Sequence, residues 1–425
     1  MKILVVTPYP PARDGIAAYA AQTVRSLRRE GHDVEVLSPG PSAAHFHLDL
    51  LGPRGGLALA KRIRQGRYDR VIVQFHPDFF YPVPNTARDR LRVAVGLLAA
   101  FRLAGRVEVI VHEIDYRFGR PTTPDGAAAR LLWRSVDSVG VHTEGERTHF
   151  AKAFGVPMSK IVLISHGADF AKHTQHSRAS ARDSLSVPAG EFMFLSIGFV
   201  QEHKGFDRAV TAFAGLGARG SRLDIVGSVR VDDAHQLAYG NSLDVLAAAT
   251  DGVHRHTGYV SDELFDRWIV AADALVLPYR SIWSSGVLER AALYDTPVIA
   301  TAVGGLPEQA IAPGPGVPAT GRRDVRLVED DAELRQVMWE RAGARGGSPR
   351  AGAAWPADGV DLRSRIQREV ARRAVGSRGT RVAAAVAAGP GDSADAGGAG
   401  DPAEVARAAD ISRSSAPIRR VATLH

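Results

Sequence analysis

The sequence predicts an α/β protein of two doubly wound domains, each a parallel sheet with helices on both faces, with a cleft between them and a disordered C-terminal tail. Three observations carry that expectation. Short apolar runs alternate with segments of helical period from residue 2 to about residue 340, as in parallel sheets whose crossovers are helices. A chain of 425 residues exceeds what one hydrophobic core usually serves, which divides the alternation between two domains. Beyond Gly376 the chain is Ala, Gly, Ser, Arg and Pro with almost no aromatics, too little apolar surface to offset the entropy of ordering. The expected boundaries are a first domain over 1–170, a polar linker with a short helix over 171–190, a second domain over 191–340, a weakly ordered segment over 341–376 and the tail over 377–425.

In the first domain Lys2 to Thr7 reads as a strand, Pro8 to Gly15 as a loop, and Ile16 to Glu30 as a helix with Ala20, Val24 and Leu27 inward and Gly31 as its cap. Val34 to Leu37 and Val71 to Phe75 are further strands. The latter runs into His76, Pro77, Asp78, Phe79, Phe80 and Tyr81, a polar and aromatic loop at a strand's carboxyl end that suits either acceptor recognition or packing. The span from Arg88 to Arg106 is apolar in its middle and arginine-ringed at its ends. It is too short an apolar run to cross a bilayer and fits either a buried domain helix or a membrane-surface contact. Val107 to Val111 is a strand followed directly by His112 and Glu113; Ser138 to His142 and Ile161 to Ser165 close the domain.

The second domain opens with Phe192 to Ile197 and the loop GFVQEHKG, in which Lys204 stands at a helix start. A cation there is unfavourable beside the helix dipole unless an anion is bound. Helices over 207–216, 233–249 and 262–272 alternate with a strand at 223–226 and the segment 254–260. They lead to PYRSIWSSGVLERAALYDTPVIATAVGGLPE, residues 278–308, preceded by the strand Ala274 to Leu277. Ser284 and Ser285 can cap a helix that carries Val287, Leu288, Ala291 and Ala292 inward; Pro297 ends it, Val298 to Thr301 is the next strand, and Gly304-Gly305 a loop open to close backbone approach. A helix amino terminus beside a glycine loop at the carboxyl edge of a parallel sheet is where nucleotides and phosphates bind.

These phrases resemble the retaining, nucleotide-sugar-dependent glycosyltransferases of family 4, whose GT-B fold is two Rossmann-like domains. The resemblance covers residues 1 to about 340 and is strongest over 192–308. It implies that Gly15, followed by Tyr19, and Lys204 meet the donor diphosphate, with backbone N–H groups of Ser285, Gly286 and Val287, and that His112 sits against the transferred sugar; from position alone Glu113 can orient its ring, and His76, Phe79 and Glu113 are the candidates for the acceptor side. It also implies retention of configuration, with the leaving diphosphate assisting deprotonation of the acceptor. SHGAD at 165–169 resembles the family's exit from the first domain, and a terminal helix, here over 361–374, crosses back onto it.

Two departures stand out. The arginine that accompanies the family's lysine falls on Phe199 or Gln201. The family's acidic pair is altered: counting back from Pro297 puts Arg290 in the second acid's slot and Ile282 in the first, whereas one extra residue in the turn puts Glu289 and Ser281 there. The ungapped register leaves Asp295 at the left-handed position that ends the helix, which favours Arg290 as the donor-facing residue and a substitute phosphate contact.

Other chemistries are absent. With no cysteine, disulfides, thiolate zinc sites and cysteine nucleophiles are excluded, and a reducing cytoplasm fits. No Asp-X-Asp triplet, H-E-x-x-H, G-x-S-x-G, P-loop or dinucleotide fingerprint occurs, so no metal and no cofactor is expected beyond the nucleotide diphosphate sugar as substrate. The amino terminus enters a strand with no signal-peptide pattern, so a cytoplasmic protein is expected, with the inner membrane face open to it. A net charge of +7 favours anionic partners, but no nucleic-acid module is present. The leading expectation is a metal-independent hexosyltransferase-like enzyme acting on an acceptor of unassigned class. The alternative is a non-catalytic GT-B protein that binds sugar nucleotide or glycan.

Overall fold

A computed structural model of the protein describes residues 1–343 apart from 13, 83–84, 114–121, 165–166, 168–169, 217–219, 230–233 and 312–323. The first domain runs β1 (Lys2–Val6), α1 (Gly15–Arg29), β2 (Asp33–Ser38), β3 (Phe46–His47), α2 (Pro53–Gly66), β4 (Arg70–Phe75), α3 (Ala87–Phe101), β5 (Val107–Val111), α4 (Pro124–Ser135), β6 (Ser138–Val141), α5 (Glu144–Phe154) and β7 (Ile161–Leu163). Its seven strands lie in the order β3-β2-β1-β4-β5-β6-β7, and every pairing is parallel. Along β1 the side chains alternate between two cores: Ile3 and Val5 join Val24, Val34 and Ile72, while Leu4 and Val6 join Leu59, Val71 and Val73.

The second domain follows as α6 (Arg178–Ser184), β8 (Phe192–Ile197), α7 (Phe206–Ala214), β9 (Ser221–Gly227), α8 (Ala234–Ala248), β10 (Val253–Thr257), α9 (Asp262–Ala271), β11 (Ala274–Leu277), α10 (Gly286–Leu293), β12 (Val298–Thr301), α11 (Leu306–Ile311), β13 (Val325–Val328) and α12 (Asp331–Gly343). Its sheet is also parallel, in the order β10-β9-β8-β11-β12-β13. β8 and β11 are buried at every position, the signature of a sheet covered on both faces.

The two-domain α/β expectation holds. Several elements carry too little apolar period to be read in advance. α2 contains Pro53, Gly55 and Gly56, poor helix formers, and is held by packing: a Cβ on Gly56 would stand 2.5 Å from the carbonyl carbon of Gly96 in α3. α5 begins on a capping box in which Thr143 and Glu146 satisfy each other's backbone N–H groups. The polar stretch 171–190 is anchored to the second domain by α6, whose buried Arg182 donates to Ala271 O (2.9 Å), Glu191 O (3.1 Å) and the carboxylate of Asp273. The weakly ordered segment beyond residue 343, its crossover helix and the tail lie outside the described residues.

Candidate functional site

Each sheet has a switch point, between β1 and β4 in the first and between β8 and β11 in the second, where successive connections leave in opposite directions. The crevice at the carboxyl ends of such strands is where doubly wound domains bind ligands. Gly15 and His76 follow β1 and β4; Lys204 and the 278–285 loop follow β8 and β11. Four separate sequence signals therefore converge on two crevices.

In the second domain the turn 202–204 is held from below. Arg280 pairs with Asp207 through two bonds of 2.9 and 2.6 Å, donates to Glu202 O at 2.8 Å, and gives its backbone N–H to His203 O at 2.7 Å. Tyr239 donates its hydroxyl to the same Asp207 at 2.7 Å. Gly205, at φ 63°, closes the turn where a Cβ would lie 2.2 Å from Pro278 O. The ammonium of Lys204 is thereby laid over Gly198: a Cβ there would stand 3.2 Å from Lys204 Nζ and 3.9 Å from Val287 Cγ2. Gly198 is at φ +127°, so glycine supplies both the backbone conformation and the space.

Ser285 caps α10, its hydroxyl accepting from Leu288 N at 3.3 Å. Its own N–H goes to Gln309 Oε1 at 2.7 Å, and Gln309 donates in turn to Glu289 Oε1 at 2.8 Å. The chain Glu289, Gln309, Ser285 fixes the cap and leaves the Gly286 and Val287 amides as the helix's terminal donors. Glu289 is 3% exposed and packs against Gly167 of the first domain, where a Cβ would lie 2.9 Å from its own Cβ. Arg290 turns toward α9: Nε meets Asp266 Oδ1 at 2.8 Å, Nη1 meets Asp262 Oδ1 at 2.9 Å, and the guanidinium covers the Phe265 ring at 4.5 Å. Asp295 takes the left-handed conformation, φ 51°, that the ungapped register assigns it. The Gly304-Gly305 loop receives the protein's own backbone, since Cβ atoms there would lie 1.6 Å from Ile282 O and 2.1 Å from Trp283 O.

In the first domain Asp14 caps α1 by accepting from Ile16 N at 2.7 Å, with Gly15 as the first helical residue. His112 is bonded to Gln74 Oε1 at 2.6 Å and meets the Tyr19 ring edge-on, centroids 5.2 Å apart. Tyr19 also touches Phe170 at 6.3 Å and His142 at 6.1 Å. His142 is held neutral because burial pushes its pKa down to about 4, against the Ile164 carbonyl that Nδ1 meets. Glu113 reaches His76 Nε2 at 2.8 Å, and Phe79 lies against the same imidazole at 5.3 Å. Gln74 was not singled out in the sequence, although a buried glutamine at the end of an apolar strand calls for a polar partner, here His112.

The domains meet around α5. Glu308 of the second domain accepts from Glu144 N at 2.6 Å and Gly145 N at 2.8 Å, capping the amino terminus of a first-domain helix. Trp283 meets the His149 ring at a tilt, centroids 5.3 Å apart, and closes a small pocket lined by Val111, His112, Glu113, Val141 and Glu146. Burial of Glu146 raises its pKa to about 7, opposed by bonds from His142 N and Thr143 N and reinforced by Glu308. Neither Trp283 nor Glu308 was singled out in the sequence, although Glu308 ends the phrase GGLPE. Among the described residues no cluster of three or more His, Asp or Glu could hold a metal ion, and no helix is long and apolar enough to cross a membrane.

Two doubly wound parallel-sheet domains in one chain make the GT-B architecture. Residues 14–167 match the glycosyl transferase 4-like domain family and residues 191–336 the glycosyl transferases group 1 family. The chain is 28% identical over 216 residues to D-inositol 3-phosphate glycosyltransferase of Arthrobacter sp. (50% of this chain, 49% of that one). It is 29% identical over 362 residues to the enzyme of that name from Nocardiopsis dassonvillei (77% of this chain, 82% of that one). The chain spans about half the length of most of the curated relatives it matches. Anabaena HepE, solved in complex with UDP-glucose, superposes with TM-score 0.58 at 16% identity, over 88% of this chain and all of that one. The chain belongs to the family 4 glycosyltransferases of GT-B type.

Proposed function

We propose that the protein transfers a sugar from a nucleotide diphosphate sugar to an acceptor bound on the first domain, with retention of configuration. The observation that carries this reading is the placement of Lys204 Nζ over Gly198, beside Val287 at the start of α10. A cation and a helix amino terminus aimed at one point stabilise the negative charge that grows on a leaving diphosphate. Lys204 and the Gly286 and Val287 amides take the diphosphate, Ser285 holds the cap, and Gly15 lets the first domain approach from the opposite side. His112, with Tyr19 on its edge and Gln74 on its Nε2, lies against the sugar; His76, Glu113 and Phe79 face the acceptor.

Arg290 and Glu289 take supporting parts in this proposal. Two carboxylates neutralise Arg290, so it adds little net positive potential for a diphosphate and instead ties α10 to α9. Glu289 sets Gln309 and through it the cap.

The test is turnover. UDP, GDP and ADP are screened by thermal shift, and release of nucleoside diphosphate from the matching donor is then measured, with D-inositol 3-phosphate as the first acceptor because the relatives are named for it. Activity is expected to survive EDTA; complete loss restored by magnesium or manganese contradicts the metal-independent reading. Nucleotide binding without release of product under any acceptor favours the non-catalytic alternative, which the missing first acid at Ser281 or Ile282 supports.

A further inference from the structure

Helices α2, α3 and α4 lie side by side in that order on the first domain. Gly56 and Gly96 bring the backbones of α2 and α3 into contact, and Arg90 of α3 reaches Asp125 of α4 at 2.8 Å, so the three form one rigid layer. The inner side of α3 is apolar, with Val93, Ala94, Leu97, Ala100 and Phe101 buried. This side fits the sequence reading of a buried domain helix.

The outer side is composed differently. α2 exposes Arg54, Leu57, Lys61 and Arg64, which share one stripe at helical spacing. α3 exposes Arg88, Arg92, Val95 and Arg102 in the same way, and α4 exposes Leu131 and Arg134. Leu57 is 64% exposed, Val95 51% and Leu131 50%. A lone exposed aliphatic needs no explanation; a row of them among cations on three adjoining helices does. The acid on these outer stripes, Asp89, is engaged by the Thr86 hydroxyl and N–H at the start of α3.

We propose that the outer face of α2, α3 and α4 docks the protein on an anionic lipid surface. Its cations meet the headgroup charge while Leu57, Val95 and Leu131 enter the headgroup and acyl boundary, the division of labour of interfacial basic helices. A polyanion such as RNA would satisfy the arginines but leave the aliphatics in water. The contact is peripheral, and it is independent of the donor chemistry above.

The experiment uses the full chain and co-sedimentation with vesicles of phosphatidylcholine alone or with about one third phosphatidylglycerol. Binding is expected to the anionic vesicles, stronger by about tenfold or more than to phosphatidylcholine, and to weaken as sodium chloride rises from about 0.05 to about 0.5 M. Arg88→Glu with Arg92→Glu, and separately Leu57→Gln with Val95→Gln, are each expected to lower the partition coefficient about tenfold while melting temperature and nucleotide binding stay at wild-type values. Equal binding of wild type to both vesicles, or variants that bind like wild type, overturns the proposal. Loss in the charge variant with none in the Leu57/Val95 variant also overturns it and points to a polyanion such as RNA.

Discussion

Replacing Arg290 by alanine separates two readings of the α10 helix. The Arg290 guanidinium is 11% exposed and its main partner, the carboxylate of Asp266, is fully buried. Removing one partner of a buried ion pair costs about 3–5 kcal/mol, because the other charge is left without compensation. Asp266 keeps bonds from the Tyr294 hydroxyl at 2.6 Å and His173 N at 2.8 Å and the contact with His173 Nδ1 at 3.2 Å, which places the expected loss near the lower end, about 3 kcal/mol. For a domain of this size that is a fall in melting temperature of about 6–12 °C. Asp266→Asn added to Arg290→Ala removes the stranded charge and is expected to recover part of the loss, while Asp262→Ala alone, at a half-exposed carboxylate, costs about 1 kcal/mol or less. Melting is followed by calorimetry and donor affinity by titration with nucleoside diphosphate below the lowered transition. Arg290→Ala that melts like wild type yet binds nucleotide tenfold more weakly refutes this reasoning and returns Arg290 to the donor, as the ungapped register implies.

The remaining predictions concern the anion crevice and the domain contact. Lys204→Ala is expected to weaken nucleoside diphosphate binding by about tenfold or more, the worth of a charge-assisted contact, and unchanged affinity by calorimetry removes Lys204 from the site. Gly198→Ala drives a Cβ toward Lys204 Nζ at a φ of +127°, so it is expected to lower both stability and nucleotide affinity with Lys204 still present; wild-type affinity in that variant places the ammonium elsewhere. Glu146, with its folded pKa raised to about 7, favours the protonated state: its contribution is fully present below its unfolded value of 4.5 and is lost as pH rises through about 7, amounting to about 3 kcal/mol. Stability measured by denaturant across that window is expected to fall less in Glu146→Gln, and an identical slope in the variant shows that Glu146 is ionised throughout.

The sequence by itself determined the class of fold, because apolar runs and helical periods alternate in a way that only parallel sheets with helical crossovers can bury. It also placed the candidate residues on one edge of each sheet: Gly15, Lys204 and Ser285 belong to the connections that follow β1, β8 and β11, and such a connection starts at the sheet's carboxyl edge wherever its strand sits. A serine cap was legible before this helical run, at Ser284 or Ser285, and the structure puts it on Ser285. What the tertiary structure decided are the pairings between distant segments. Glu289 and Arg290 are neighbours in sequence, but which of them meets Gln309 and which meets α9 depends on the rotation of α10 and on elements some 20 residues away on either side. Glu308 at the start of α5, Trp283 over the His112 pocket and Arg280 beneath the Lys204 turn bring together residues more than 70 positions apart. No local period encodes such contacts, because they arise only when two sheets have closed their cores and two domains have met.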